Sequence, residues 1–196
     1  IMNSSGDEFF LPDSSQFYWD ALQGEKYLRY VPNTAHGLNG EAVANFQAFY
    51  QSYLDGTPRP QFSWAKEPDG TLRVTTVTPP AAVRLWQASN SAARDFRLET
   101  LGAVWSSSVL SDTGGGVYVG QVAEPASGWT AFFVELEYGS GNPLKFTTEV
   151  SVVPQNLPFR KPGGWGTVET VGEGTDAITL LKAGGDRYQM GYWYGR

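Results

Sequence analysis

Two side chains of this sequence have the types and spacing to share a proton. Asp7 stands in Asp7-Glu8-Phe9-Phe10-Leu11-Pro12-Asp13, and His36 closes Pro32-Asn33-Thr34-Ala35-His36. His36 is the single histidine. It has no second imidazole with which to hold a metal, so the catalytic chemistry left to it is that of a base oriented by a carboxylate. Near neutral pH an imidazole takes a proton from a nucleophile and returns it to the leaving group, provided an acid fixes its tautomer and steadies the imidazolium. Asp7 is the expected acid. Asp13 competes for the role, but it stands where it can cap a following helix. Each residue alone also has a plain reading: a solvated histidine in an Asn-Thr-Ala-His-Gly turn, and an aspartate closing a turn after glycine. The succession strand, turn, acid, helix, strand, proline, histidine is what favours chemistry. Glu8, on the opposite side of an extended segment, is expected in solvent.

The third member of such a site is missing from the sequence. In the α/β-hydrolase order the serine precedes the acid and the histidine, and no Gly-x-Ser-x-Gly occurs among the 196 residues. Ser4, Ser5, Ser14 and Ser15 read as turn and cap residues rather than as a nucleophile on a sharp elbow. The expected partner is therefore an N-terminal hydrolase segment that carries the nucleophile serine, on another chain or on an upstream part.

The elements that must position the pair follow from local pattern. Ile1-Met2-Asn3 reads as the end of a strand, and the Ser4-Ser5-Gly6 turn delivers Asp7 to its carboxyl end, where open α/β sheets place their sites. Asp13 or Ser14 opens a helix holding Phe17, Trp19, Ala21 and Leu22, and Gly24 stops it. Residues 26–31 read as a buried strand ended by Pro32. Val43, Phe46, Phe49, Tyr50 and Tyr53 recur at three and four residues, an aromatic stripe on a helix expected to pack on the sheet. Pro58 and Pro60 mark a linker.

Beyond the linker, short β-rich runs recur at 61–66, 71–78, 82–88, 103–110, 116–123, 130–138 and 145–153, a spacing that predicts a sandwich. Trp64, Trp86, Trp105 and Trp129 are expected to fill its core rather than to form a carbohydrate platform. The expected organisation is α/β plus all-β. Residues 1–57 would be the C-terminal part of an α/β-hydrolase domain, 58–155 an immunoglobulin/fibronectin III-like β-sandwich, and 156–196 a Gly-rich tail. That tail holds weak strands near 167–171 and 177–181 and ends on Tyr188, Tyr192, Trp193 and Tyr194. Two strands are too few for a parallel sheet covered on both faces. Residues 1–2 and 27–31 are therefore expected to neighbour strands of another polypeptide, with Phe9, Phe10, Tyr27, Tyr30, Phe46, Phe49 and Tyr50 buried there.

Composition removes several classes of function. A formal charge of -6, a pI near 4.8 and 14 scattered Lys and Arg argue against a nucleic-acid partner. Absence of cysteine removes disulfides, thiolate metal sites and cysteine catalysis, and leaves the redox compartment undetermined. No apolar run approaches the roughly 20 residues of a membrane span. Gly114-Gly115-Gly116 lacks the Gly-Lys-Ser/Thr of a phosphate loop and reads as a hairpin. No cofactor and no metal is expected.

Five blocks together resemble a known family. They are Asp7-Glu8-Phe9-Phe10-Leu11-Pro12-Asp13-Ser14-Ser15; Gly24-Glu25-Lys26-Tyr27-Leu28-Arg29-Tyr30-Val31-Pro32-Asn33 with His36; Val83-Arg84-Leu85-Trp86-Gln87-Ala88; Ala93-Arg94-Asp95-Phe96-Arg97; and Gly128-Trp129-Thr130-Ala131-Phe132-Phe133-Val134-Glu135. The sequence resembles the PhoPQ-activated pathogenicity-related proteins from residue 1 to about 154. That resemblance implies an exported, secreted or periplasmic protein with an α/β-hydrolase-like domain and a following β-sandwich, distantly similar to serine peptidases and esterases. Asp7 and His36 match the family's presumed acid and base, whereas its Gly-x-Ser-x-x-Gly elbow has no counterpart. A growth-inhibiting secreted relative also keeps a non-enzymatic binding or signalling role open.

Overall fold

The first strand, β1 (Met2–Ser4), and the second, β2 (Arg29–Val31), lie parallel, with Met2 opposite Arg29 and Ser4 opposite Val31. Both therefore deliver their following loops to the same edge, one loop carrying Asp7 and the other His36. In this computed structural model the described residues are 1–141 and 143–156, together with the backbone of three later strands. Residues 1–155 form one compact unit and 156–196 a second.

After β2 the long helix α1 (Gly40–Leu54) is opened by Asn39, whose side chain accepts from the Ala42 N–H at 3.0 Å. Eight strands follow: β3 (Phe62–Lys66), β4 (Leu72–Thr76), β5 (Ala82–Asn90), β6 (Ser106–Val109), β7 (Val117–Gly120), β8 (Trp129–Tyr138), β9 (Leu144–Thr147) and β10 (Ser151–Val153). One helical turn, α2 (Leu98–Leu101), interrupts them between β5 and β6. Strands β3, β4 and β7 make one antiparallel sheet in that order. A second runs β10-β8-β5-β6, with β9 also pairing β8. Val74 and Leu72 of the first sheet share one buried cluster with Val83, Leu85, Phe132, Val134 and Leu136 of the second.

In the second unit the strands β11 (Val168–Val171), β12 (Ile178–Ala183) and β13 (Arg187–Tyr188) form an antiparallel sheet. Tyr192, Trp193 and Tyr194 of the expected aromatic ending lie outside the described residues, as does the side chain of Tyr188.

The expected fold class is corrected by this arrangement. Strand dominates over helix, and no α/β-hydrolase pattern is formed: parallel pairing among the described residues is confined to the three-residue β1–β2 ladder. The reason is visible on the far side of β2. Thr147 donates its N–H to the Leu28 carbonyl at 2.7 Å and accepts the Tyr30 N–H on Oγ1 at 2.9 Å, so the end of β9 occupies the position where a further parallel strand would add. The neighbour expected there from another polypeptide is this chain itself. Nor does the β-rich part reproduce an immunoglobulin or fibronectin III sandwich, since β9 and β10 divide one edge of β8 between them.

Two buried ion pairs tie the front of the chain to the sheets. Arg29 Nη1 donates to Glu135 on β8, and its Nη2 reaches Glu41 at 3.1 Å. Although burial acts to raise it, the bonds from Lys145 and Arg29 hold the Glu41 carboxyl below the usual glutamate range. Arg94 pairs with Asp13, both buried. Asp13 makes no cap bond with its side chain, and the expected helix shrinks to a 3-10 turn, Ser14–Phe17. Ring packing completes the seam: Tyr27 lies 4.7 Å from Phe146 and 5.6 Å from Phe49, centroid to centroid. Trp105 is buried, while Trp64, Trp86 and Trp129 pack partly buried around a cluster of Tyr30, Phe133 and Val150, as core rather than as a platform.

Candidate active site

The loop after β1 folds back on itself because Asp7 Oδ1 accepts two backbone N–H groups, from Phe9 at 2.8 Å and Phe10 at 3.1 Å. This turn leaves Oδ2 directed at the neighbouring loop, where it meets Nδ1 of His36 at 3.0 Å. The structure therefore brings together the two residues singled out from the sequence. Asp7 is buried, and the His36 side chain is half exposed, at 50%. A buried acid on one ring nitrogen of a half-exposed ring is the geometry by which a carboxylate orients a catalytic imidazole. With Nδ1–H donating to the carboxylate, Nε2 is left as the proton acceptor.

Other contacts hold the ring. Phe9 meets it edge-on at 5.0 Å and Phe10 stacks on it at 5.7 Å. The backbone N–H of His36 donates to Glu8 Oε2 at 3.0 Å. Glu8 therefore anchors the histidine loop, a role missed when alternation along an extended segment pointed it into solvent. The Asp7 turn abolishes that alternation, and aspartate two and three residues ahead of exposed amides is the signal that could have revealed it.

The loop carrying His36 is bracketed by two left-handed residues, Asn33 (φ 56°) and Leu38 (φ 58°). Asparagine tolerates this conformation, whereas leucine pays roughly 1–2 kcal/mol for it. Asn33 is fastened to the sheet region by a reciprocal pair: its Nδ2 donates to the Trp105 carbonyl and its Oδ1 accepts the Trp105 N–H, both at 2.9 Å. Ser4 and Thr34 are joined by hydroxyl and backbone bonds across the β1–β2 edge.

Gly6 sits where no side chain fits. A Cβ there would lie 2.9 Å from both the Thr34 carbonyl oxygen and the Leu98 nitrogen. Gly6 in turn donates its N–H to Thr34 and accepts the Leu98 N–H, so three loops converge on it. Gly6→Ala is expected to cost about 1–3 kcal/mol of stability by overpacking, read as a lower urea midpoint. It should also loosen the Asp7–His36 contact, because the Asp7 and Thr34 backbones must part. An unchanged midpoint would show that these loops yield freely.

Among the described residues no hydroxyl is hydrogen-bonded to the His36 ring. Asp13, the competing acid, is engaged by Arg94 and by Gln16 Nε2 at 2.8 Å, which leaves the acid position beside His36 to Asp7.

Comparison with known proteins agrees with the resemblance of the sequence blocks. The profile of the family described as PhoPQ-activated pathogenicity-related protein matches residues 1–97, and over this stretch the chain is similar to that family. The chain is 37% identical over 186 residues to autocrine proliferation repressor protein A of Dictyostelium discoideum. That alignment takes in 80% of this chain and 38% of the relative, so the chain spans well under half of the relative's length. No solved structure matches.

Proposed function

We propose that this chain supplies the acid–base half of a serine hydrolase acting on ester or amide bonds, Asp7 orienting His36, with the nucleophilic serine carried by polypeptide outside these 196 residues. The observation that carries the reading is the 3.0 Å contact from His36 Nδ1 to the buried Asp7 carboxylate, with the imidazole side chain half exposed. In the reaction, Nε2 accepts the serine proton as Oγ bonds to the carbonyl carbon of the substrate. The imidazolium, held by Asp7, then gives that proton to the departing alcohol or amine as the carbonyl–heteroatom bond breaks. A second passage with water in place of serine releases the acid product and restores the enzyme. The test is a fluorophosphonate probe on the full-length protein bearing the serine. Labelling that disappears in His36→Ala supports the reading, and an intact, folded protein that never labels would sink it.

A second reading rests on the name of the Dictyostelium relative, a repressor of proliferation with an autocrine mode of action. On that reading the protein is a released binding or signalling factor, and the Asp7–His36 pair serves only to fasten two loops. Unchanged growth-inhibiting activity in an Asp7→Asn/His36→Gln double variant would favour it over hydrolysis.

A further inference from the structure

Helix α1 turns most of its large apolar side chains away from the protein. Its inward face is made of Ala42, Asn45 and Ser52 with the half-buried Phe49, and Asn45 Nδ2 donates to the Pro143 carbonyl at 3.3 Å. Its outward face carries Val43, Phe46, Tyr50, Tyr53 and Leu54, each between 55% and 66% exposed. The spacing 43, 46, 50, 53 alternates three and four residues, the repeat of a helix seam that receives a partner. Phe46 and Tyr50 already stack in parallel, 6.3 Å apart and 9° from coplanar. The larger apolar stripe of α1 is thus the one left outside, and a contiguous exposed patch of this kind marks an interaction site.

Three observations identify the occupant. First, α1 begins at Gly40, four residues after His36, so a segment seated on the seam is held on the same stretch of chain as the imidazole, whose flanking Phe9 and Phe10 are also exposed. Second, β1 has β2 as its single ladder partner among the described residues, which leaves its other edge able to take a strand. Third, more than half of the Dictyostelium relative lies outside the match, so proteins of this kind carry further polypeptide of the required length. A second copy of this chain would bring only another acid–histidine pair.

We infer that the outward face of α1 is the docking surface for the polypeptide that bears the nucleophilic serine, seated so that its hydroxyl reaches Nε2 of His36. This inference rests on the hydrolase reading of the Asp7–His36 pair. Hydroxyl-radical footprinting of residues 1–196 alone, and of the natural protein isolated from its source without denaturation, tests it. Phe46, Tyr50 and Tyr53 should oxidise readily in the first and lose that labelling in the second, while Val77 and Val109, at 74% and 68% exposure, label equally in both. A Phe46→Asp/Tyr50→Asp variant of the natural protein should restore labelling at Tyr53 and lose reaction with the fluorophosphonate probe. A seam that stays reactive in a natural protein that still takes the probe overturns the docking surface and leaves the hydrolase reading standing. Protection of the seam by residues 1–196 alone, rising with concentration, assigns the face to a second copy and overturns the proposal. A protected seam in a natural protein that never takes the probe overturns the hydrolase reading, and with it the identity of the occupant.

Discussion

Asp7→Asn in the serine-bearing form of the protein is expected to lower turnover of an ester substrate about 10³–10⁴-fold, with KM changed little. The estimate follows from the role of the carboxylate: with an amide in its place, the ring loses the acceptor that keeps the proton on Nδ1, and the wrong tautomer presents N–H to the serine. Asp7 Oδ1 also accepts the Phe9 and Phe10 N–H groups, and the asparagine carbonyl can keep those bonds. The loop therefore survives while the chemistry fails, which separates the catalytic effect from unfolding. A loss below about tenfold would mean that Asp7 holds the loop and nothing more.

Glu135→Ala is expected to cost about 3–5 kcal/mol of stability, because it leaves the Arg29 guanidinium buried without its main counter-ion. Glu41 is still 3.1 Å away, but it is half exposed and shared with Lys145. Against a typical total of roughly 5–15 kcal/mol, the loss would be large enough to populate the unfolded chain. Urea unfolding reads it directly. A Glu135→Leu/Arg29→Met double variant should recover most of the loss, since replacing both charges by apolar side chains removes the desolvation problem rather than exposing half of it. A single variant costing under 1 kcal/mol would contradict the pairing.

Legibility in the sequence divides along the range of the interaction. Strand positions after residue 60 are marked by alternation, and each predicted run overlaps an observed strand. The last run, 145–153, becomes two strands because Thr148 interrupts the ladder: its N–H donates to the Val134 carbonyl and its Oγ1 accepts the Val134 N–H. Alternation is blind to such a break, as the residue types on either side still suit a strand. The Asp7–His36 pair was legible because both residues follow short strands closely, and parallel pairing with Met2 opposite Arg29 brings their loops to one edge.

What failed depended on partners distant in sequence. The fate of Asp13 was decided by Arg94, 81 residues away, and the free side of β2 by Thr147. Periodicity identified α1 as a helix with an aromatic stripe but could not say which face turned inward. Of the rings expected to be buried, Tyr30 is, Tyr27 and Phe49 partly are, and Phe9, Phe10, Phe46 and Tyr50 are exposed. An aromatic stripe marks a helix; it does not say which face of that helix the rest of the fold covers.

The central claim is that Asp7 fixes His36 with its proton on Nδ1 and Nε2 free to accept. Nitrogen-15 NMR of the imidazole ring tests it most directly, and the presence of one histidine makes the spectrum unambiguous. At a pH where the ring is neutral, the account predicts a single Nδ1–H tautomer, its proton shifted far downfield, collapsing to the averaged pattern of free imidazole in Asp7→Asn. An averaged pattern in the unmodified protein, or a proton resident on Nε2, would contradict it.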